Sequence, residues 1–224
     1  MSSKYDNETR AGYQDAQRAR AYKYRTQRIT WARFTTSREL ELVQAMLAEC
    51  VVEDGEAVLD APCGTGIAGP LLGQAGVRVV ALDIALEMMA LARGEHQADD
   101  FSGFVRADMA ALPFHERTFA GALVLGFLHR VPELLQEPIL HDLVRVVDRF
   151  LILTFSIDNR FQRVKRYVLQ LIHGRDYTAP VPKALTDVLS SLESQGLSVI
   201  KYRWVFPVLS SSVVILAERT DTGR

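Results

Sequence analysis

The sequence predicts an α/β fold of the doubly wound kind, a mostly parallel sheet with helices on both faces. Three observations carry that expectation. Ala57-Val58-Leu59-Asp60 is an apolar strand that stops at a carboxylate, and Ala61-Pro62-Cys63-Gly64-Thr65-Gly66 follows as a Gly-rich turn into a helix from about Ile67. Val77 to Asp83 is a second apolar strand that also closes on a carboxylate. Beyond it, short apolar runs alternate with helical stretches until two strand-like runs follow one another near the end.

Each element has its own local reason. Ser37 is a candidate N-cap, and Arg38-Glu39-Leu40 opens a helix whose Leu40, Val43, Met46 and Leu47 recur at helical spacing. Glu53-Asp54-Gly55 turns into the first strand. Ile67 to Ala75 reads as a helix stopped by Gly76. Arg78 to Asp83 is strand two, and Ala85 to Arg93 a helix ended by Gly94. A polar loop over 95–102 leads to strand three, Gly103 to Ala107, which closes on Asp108. Leu112 to Arg117 is a loop, and Ala120 to Gly126 is strand four. Pro132 suits a first helical position. Pro138 should kink or split the helix that follows; its second part buries Ile139, Leu140, Leu143, Val144 and Val147. Strand five is Phe150 to Phe155. Helices are expected from about Asn159 to Ile172, bounded by His173-Gly174, and from Pro182 to Gln195, stopped by Gly196. Leu197 to Phe206 and Ser211 to Glu218 are the last two strands.

A chain of 224 residues, 48% hydrophobic, supports one domain with an elaboration and a sizeable core. Its longest strongly apolar run, Phe119 to Leu128, is too short to span a bilayer. The first residues carry no apolar signal region, and Cys50 and Cys63 make no disulfide framework. A soluble, cytoplasmic protein is expected. The net charge of −1 hides an asymmetry: residues 1–38 carry +6, residues 156–183 carry +4, and the remainder about −11. No Cys and His cluster has metal-ligand spacing, so no metal is expected.

An acid about 20 residues beyond a Gly-rich strand-to-helix turn is placed to accept hydrogen bonds from a ribose, which points to a nucleoside cofactor. Two cofactors compete. Gly64-Thr65-Gly66-Ile67-Ala68-Gly69 formally fits the G-x-G-x-x-G of a nicotinamide dinucleotide site. Such a site sets a pyrophosphate on a helix N-terminus. Asp60, four residues before Gly64, would repel a pyrophosphate and suits the cationic ammonium and sulfonium of S-adenosylmethionine.

Val58 to Gly66 resembles the first motif of class I S-adenosylmethionine-dependent methyltransferases. Ala81 to Met89 is similar to the segment after it, and Phe104 to Phe114 to the third-strand motif. Phe119 to Pro132, ending Leu128-His129-Arg130-Val131-Pro132, resembles the fourth-strand motif of the small-molecule, ubiquinone-biosynthesis type. The ordered set covers roughly residues 55 to 155. Pro62 and Ala120 depart from the usual residues at their positions, which bears on fine geometry. The resemblance implies a seven-stranded sheet of order 3-2-1-4-5-7-6, with strand 7 antiparallel. It implies a division into N-terminal lid helices, residues 1–38, and a methyltransferase domain, residues 39–224. Within the latter, the basic insertion 156–183 would shape the acceptor pocket.

It also implies a site. Asp60 faces the methionine end of the cofactor, and Ala61, Pro62, Gly64 and Gly66 form the loop the cofactor approaches. Asp83 takes the ribose, with Ile84 beside it; Asp108 and Met109 take the adenine. Met88 is counted in this cofactor-facing set, although Met88, Met89 and Leu91 fit a core stripe better than a cofactor contact. Backbone carbonyls of Leu125 and Gly126 face the ammonium. His129, with an ordinary pKa near 6.5, is placed either to act as general base or to pack under the lid. Tyr5, Tyr13, Tyr22, Tyr24, Trp31 and Phe34 either fold over the sulfonium or pack on the sheet from a solvated basic helix.

The function implied is methyl transfer from S-adenosylmethionine to a small molecule, at an oxygen of an anionic or hydroxylated metabolite. A glycan- or lipid-linked acceptor, a nicotinamide-dependent oxidoreductase and a cofactor-binding protein without turnover are the alternatives. Nucleic acid is not an expected partner, since strand four lacks the Asn/Asp-Pro-Pro-aromatic ending and the basic stretches show no recognised binding motif. No transmembrane segment is expected, peripheral membrane contact stays open, and the protein is a monomer or homodimer.

Overall fold

The computed structural model describes residues 17, 19–21, 23, 24, 30–96, 101–157, 183–207 and 210–220. The readings made for Tyr5, Tyr13, Tyr22 and the helix from Asn159 to His173-Gly174 lie outside the described residues. Helix α1 is Thr30–Leu47, followed by β1 Ala57–Asp60, α2 Gly69–Ala75, β2 Arg78–Asp83, α3 Leu86–Ala92 and β3 Phe101–Arg106. Then come β4 Phe119–Val124, a 3₁₀ turn Leu128–Arg130, α4 Glu133–Val146, β5 Val147–Ser156, α5 Leu185–Ser194, β6 Leu197–Trp204 and β7 Ser212–Arg219.

The sheet has seven strands in the order β3-β2-β1-β4-β5-β7-β6. β7 runs antiparallel to both β5 and β6, and the other pairs are parallel. This is the expected doubly wound architecture. Successive strand residues face opposite layers. Val58, Val79, Leu123, Phe150 and Ile152 pack with Val43, Met46 and Leu47 of α1 and Leu72 of α2. Leu59, Ala122, Val124, Leu151 and Leu153 pack with Ile139, Leu140 and Leu143 of α4 and Val188 and Leu192 of α5. Strand order reverses between β1 and β4, so their carboxyl ends flank the crevice where open α/β sheets take ligands.

Several boundaries differ from the sequence expectations. α1 runs unbroken through Ser37, which is therefore mid-helix and not an N-cap, and the expected division at residue 38 falls inside this helix. The upstream turns are held by tertiary contact: Phe34 stacks on Phe206 at 4.9 Å, and Trp31 lies 5.9 Å from the same ring. α2 starts at Gly69 and not at Ile67, because Gly64 and Gly66 keep the chain in left-handed turns and Pro70 opens the helix. Pro138 does not split α4. Burial of Ile139, Leu140, Leu143, Val144 and Val146 along one face outweighs the one missing bond. β3 begins two residues early, where Phe101 packs on Phe104. β4 ends at Val124, and Leu125-Gly126 leaves the strand with Gly126 at φ 63°.

Candidate functional site

The site starts from register. Asp60 pairs with Ala81 on one side and Leu123 on the other, so it sits at the end of the central strand. The next residues still tie to both neighbours: Ala61 N–H donates to Leu123 O at 3.0 Å, and Cys63 N–H donates to Leu82 O at 2.8 Å. The glycine loop is thereby centred over the switch point. Asp83, at the end of β2, organises it. Its Oδ2 accepts from Gly64 N–H and its Oδ1 from Ala85 N–H, each at 2.9 Å.

The two loop glycines do different work. A side chain on Gly64 would meet nothing within 4 Å, so this residue, at φ 53°, presents bare backbone to open space. A Cβ on Gly66 would lie 2.8 Å from Ala92 Cα, so its close approach is to the end of α3. Cys63 is buried beside both carboxyls, and burial pushes its thiol far up.

Asp60 is 2% exposed, and its Oδ2 has no hydrogen-bond partner among the described residues. Burial, and then the Asp83 carboxyl, push its pKa up to about 7. Burial raises Asp83 as well, opposed by the Ala85 and Gly64 N–H bonds. Thr65 Oγ1, His96 Nε2 and His129 Nδ1 are likewise buried and unpartnered among the described residues. Buried polar atoms are normally bonded, and three of these four sit on loops leaving β1, α3 and β4.

Asp108 follows β3 as expected, where its Oδ1 accepts from Ala110 N–H at 3.0 Å, a local turn bond. Met109 beside it is buried. Ile84 is half-buried, and its carbonyl accepts from Arg106 Nε. Met88 is placed in a small core with Ala19 and Ala85 and not on an open face. Ala61 is buried and Pro62 half-buried within the loop.

The β4–β5 side contains residues the sequence reading passed over. Gly126 N–H donates to Thr154 Oγ1 at 2.6 Å, and the Thr154 hydroxyl bonds the carboxyl of Glu39 from α1. Burial pushes Glu39 up to about 7, opposed by that bond and by Arg130. Leu125 and Gly126 are half-buried at this edge. The His129 ring stands 6.5 Å from Phe155, and burial, then Arg130, push its pKa down to about 4. No local pattern marks Glu39, Thr154 or His96, since their partners are remote in sequence.

Asp60 and Asp83 thus close neighbouring strands at this end of the sheet, Gly64 presents bare backbone beside Asp83, and Glu39 reaches the β4–β5 side through Thr154. An unpartnered buried carboxyl in such a place fits a cation and repels a phosphate. The strand order is that of the class I S-adenosylmethionine-dependent methyltransferase fold, and these features fit a cofactor of that kind. S-adenosylmethionine is the cofactor of that class.

Residues 58–149 match a family model described as a methyltransferase domain. The demethylmenaquinone methyltransferase of Clavibacter sepedonicus is 35% identical over 79 residues, 35% of this chain and 32% of that protein. The malonyl-[acyl-carrier protein] O-methyltransferase of Pectobacterium atrosepticum is 41% identical over 70 residues, 31% of this chain and 26% of that protein. The chain therefore matches about a third or less of the length of these curated relatives. Magnesium protoporphyrin IX methyltransferase from Synechocystis PCC 6803, solved with bound SAH, shares the fold at a TM-score of 0.68 and 24% identity, over 83% of this chain and 84% of that one. No helix among the described residues is long and apolar enough to cross a membrane.

Proposed function

We propose that this protein transfers a methyl group from S-adenosylmethionine to an oxygen of a small anionic or hydroxylated metabolite. The observation that carries the reading is the buried, unpartnered Asp60 carboxyl beside the bare Gly64 backbone. Asp60 takes the ammonium of the methionine end. Gly64 lets the ligand lie against the loop that Asp83 holds, and the remaining lone pairs of Asp83 take the ribose. Asp108 and Met109 flank the adenine, and the Leu125-Gly126 turn, braced by Thr154, closes the methionine end.

When bound, the cofactor supplies a methyl carried on a sulfonium, so the chain's own task is alignment and proton removal. The acceptor oxygen displaces the sulfur in line: the new O–CH₃ bond forms as the S–CH₃ bond breaks, and the acceptor proton leaves. His129 is the residue we assign to receive that proton. Its depressed pKa keeps the imidazole neutral throughout the neutral range, and its Nδ1 is unpartnered among the described residues.

The N-terminal segment acts as a lid in this reading. Ala19 packs against Ala85 and Met88, and Lys23 pairs with Glu95 at 2.8 Å and donates to Leu91 O. These contacts bring it to α3, next to the ribose-side residues. The basic insertion 156–183 is assigned to the acceptor pocket, where its charge favours an anion. The malonyl acceptor named for one relative, methylated at oxygen, is of that kind, and the other relative's name gives a quinone.

The test is transfer of label from methyl-labelled S-adenosylmethionine to a panel of carboxylated and hydroxylated small molecules, including a malonyl thioester and a reduced demethylquinone. Labelled ester or ether product is expected, with His129→Gln slower by about tenfold or more and binding S-adenosylhomocysteine normally. Label on nitrogen or carbon alone would refute the oxygen assignment, and full activity of the variant would remove His129 as base.

A further inference from the structure

His96 stands in none of the roles assigned so far. Its side chain is 2% exposed, as is that of Asp60, and its Nε2 lies 3.9 Å from Asp60 Oδ2. Neither atom has a hydrogen-bond partner among the described residues. A separation of 3.9 Å is too long for a hydrogen bond and needs closure by about 1 Å to become one. The ring is fixed for that approach. It stacks on Phe101 at 4.7 Å and meets the edge of Phe104 at 5.6 Å. Helix α2 abuts it from the other side, since a Cβ on Gly69 would lie 3.2 Å from His96 Nδ1 and 2.7 Å from Glu95 O. A side chain packed on these sides, with its unpartnered nitrogen 3.9 Å from the unpartnered oxygen of Asp60, is placed for more than packing.

We propose that His96 is a positioning residue for the cofactor's ammonium, taking the proton that the Asp60 carboxyl gives up when the ammonium binds. The inference rests on the assignment of Asp60 to the methionine end. The Asp60 O–H bond breaks and an N–H bond forms at His96 Nε2. The carboxylate left behind lies between two cations, the imidazolium and the ammonium. The surrounding charges fit this exchange. Asp60 faces the Asp83 carboxyl and the Cys63 thiol, and His96 faces Glu95, which is itself paired with Lys23. Burial favours the neutral form of each partner before binding, since it raises the carboxyl and lowers the imidazole. A neutral carboxyl holds an ammonium poorly. The nearest unpartnered acceptor for its proton is His96, whose neutral ring leaves Nε2 bare in one tautomer.

The experiment is calorimetric titration at pH 6 and pH 7, in two buffers of different ionisation enthalpy, with S-adenosylhomocysteine and with methylthioadenosine, which lacks the amino-acid group. His96→Phe keeps the aromatic stack and removes the nitrogen; His96→Gln keeps a polar side chain that takes no proton. In the wild type, S-adenosylhomocysteine should release no proton to buffer: close to none is exchanged at pH 6, and up to about half a proton is taken up at pH 7, where Asp60 is already half ionised. Both variants should release about half a proton at pH 7 and more at pH 6. They should bind S-adenosylhomocysteine about tenfold or more weakly, with methylthioadenosine affinity unchanged. Equal proton counts and equal affinities in wild type and variants would overturn the proposal. Equal weakening of both ligands would reduce His96 to a packing residue. Failure of the wild type to bind either nucleoside would instead overturn the cofactor reading on which the proposal rests.

Discussion

Asp60, which we propose takes the ammonium, also couples folding stability to pH. Folding raises its pKa from the ordinary carboxylate range to about 7, with burial the larger cause and Asp83 the lesser. A group raised on folding contributes its stability in the protonated state, below the unfolded value near 4. That contribution is lost as pH rises toward 7. Asp60→Asn cannot ionise and escapes the loss. In the ligand-free protein, the stability of the variant relative to wild type should therefore climb between pH 4.5 and pH 8, by at most roughly 4 kcal/mol. Urea unfolding at the two pH values measures it, and a difference that stays flat would contradict a buried ionising Asp60. The same variant should bind S-adenosylhomocysteine far more weakly. Asp60 and Asp83 are legible in the sequence because each closes an apolar strand at the expected distance from a glycine turn. Thr65, His96, Glu39 and Thr154 are not. Glu39 matters only because α1 carries it to Thr154, and His96 only because the loop after α3 folds back onto Asp60.

At the scale of elements, glycines and prolines are reliable where the backbone decides, and misleading where packing does. Gly76 ends α2 in the left-handed conformation, as its position implies. Ser37 and Pro138 are overridden by tertiary contacts: the aromatic cluster on Phe206 extends α1, and the buried face of α4 carries that helix through its proline. Gly121 shows the converse, a glycine that nothing local distinguishes. It pairs with Phe150 across β4 and β5, and a Cβ there would lie 2.3 Å from the Phe150 ring. Phe150 is 1% exposed and has little room to move. Gly121→Ala should cost about 1–3 kcal/mol in chemical unfolding. Phe150→Leu alone should cost stability too, yet the double variant should lose clearly less than the two single losses combined. Simple additivity would show that the ring does not fill the space above Gly121.

For the whole molecule, the alternation of strands and helices is visible in the chain, but the sheet order is not. It follows from the resemblance of four ordered motifs, since no local pattern tells β4 to lie beside β1 or β7 to insert between β5 and β6. The charge asymmetry is equally a property of the whole: basic residues are concentrated in the N-terminal stretch and the insertion, and the remainder of the chain is acidic. Ala19 packs against Ala85 and Met88 and Lys23 pairs with Glu95, contacts on which the proposed lid role of that N-terminal stretch rests. Protein lacking residues 1–24 should bind S-adenosylhomocysteine about tenfold more weakly, as isothermal titration would read. Unchanged affinity would contradict a lid.

The most direct test of the account is one calorimetric comparison of S-adenosylmethionine, S-adenosylhomocysteine and reduced nicotinamide dinucleotides against the whole chain. The Asp60 and Asp83 carboxyls predict binding of the two adenosyl sulfur compounds and none of the dinucleotides. Binding of a dinucleotide instead would mean that a pyrophosphate is tolerated beside Asp60, and the assignment of these carboxyls to a sulfonium cofactor would be wrong.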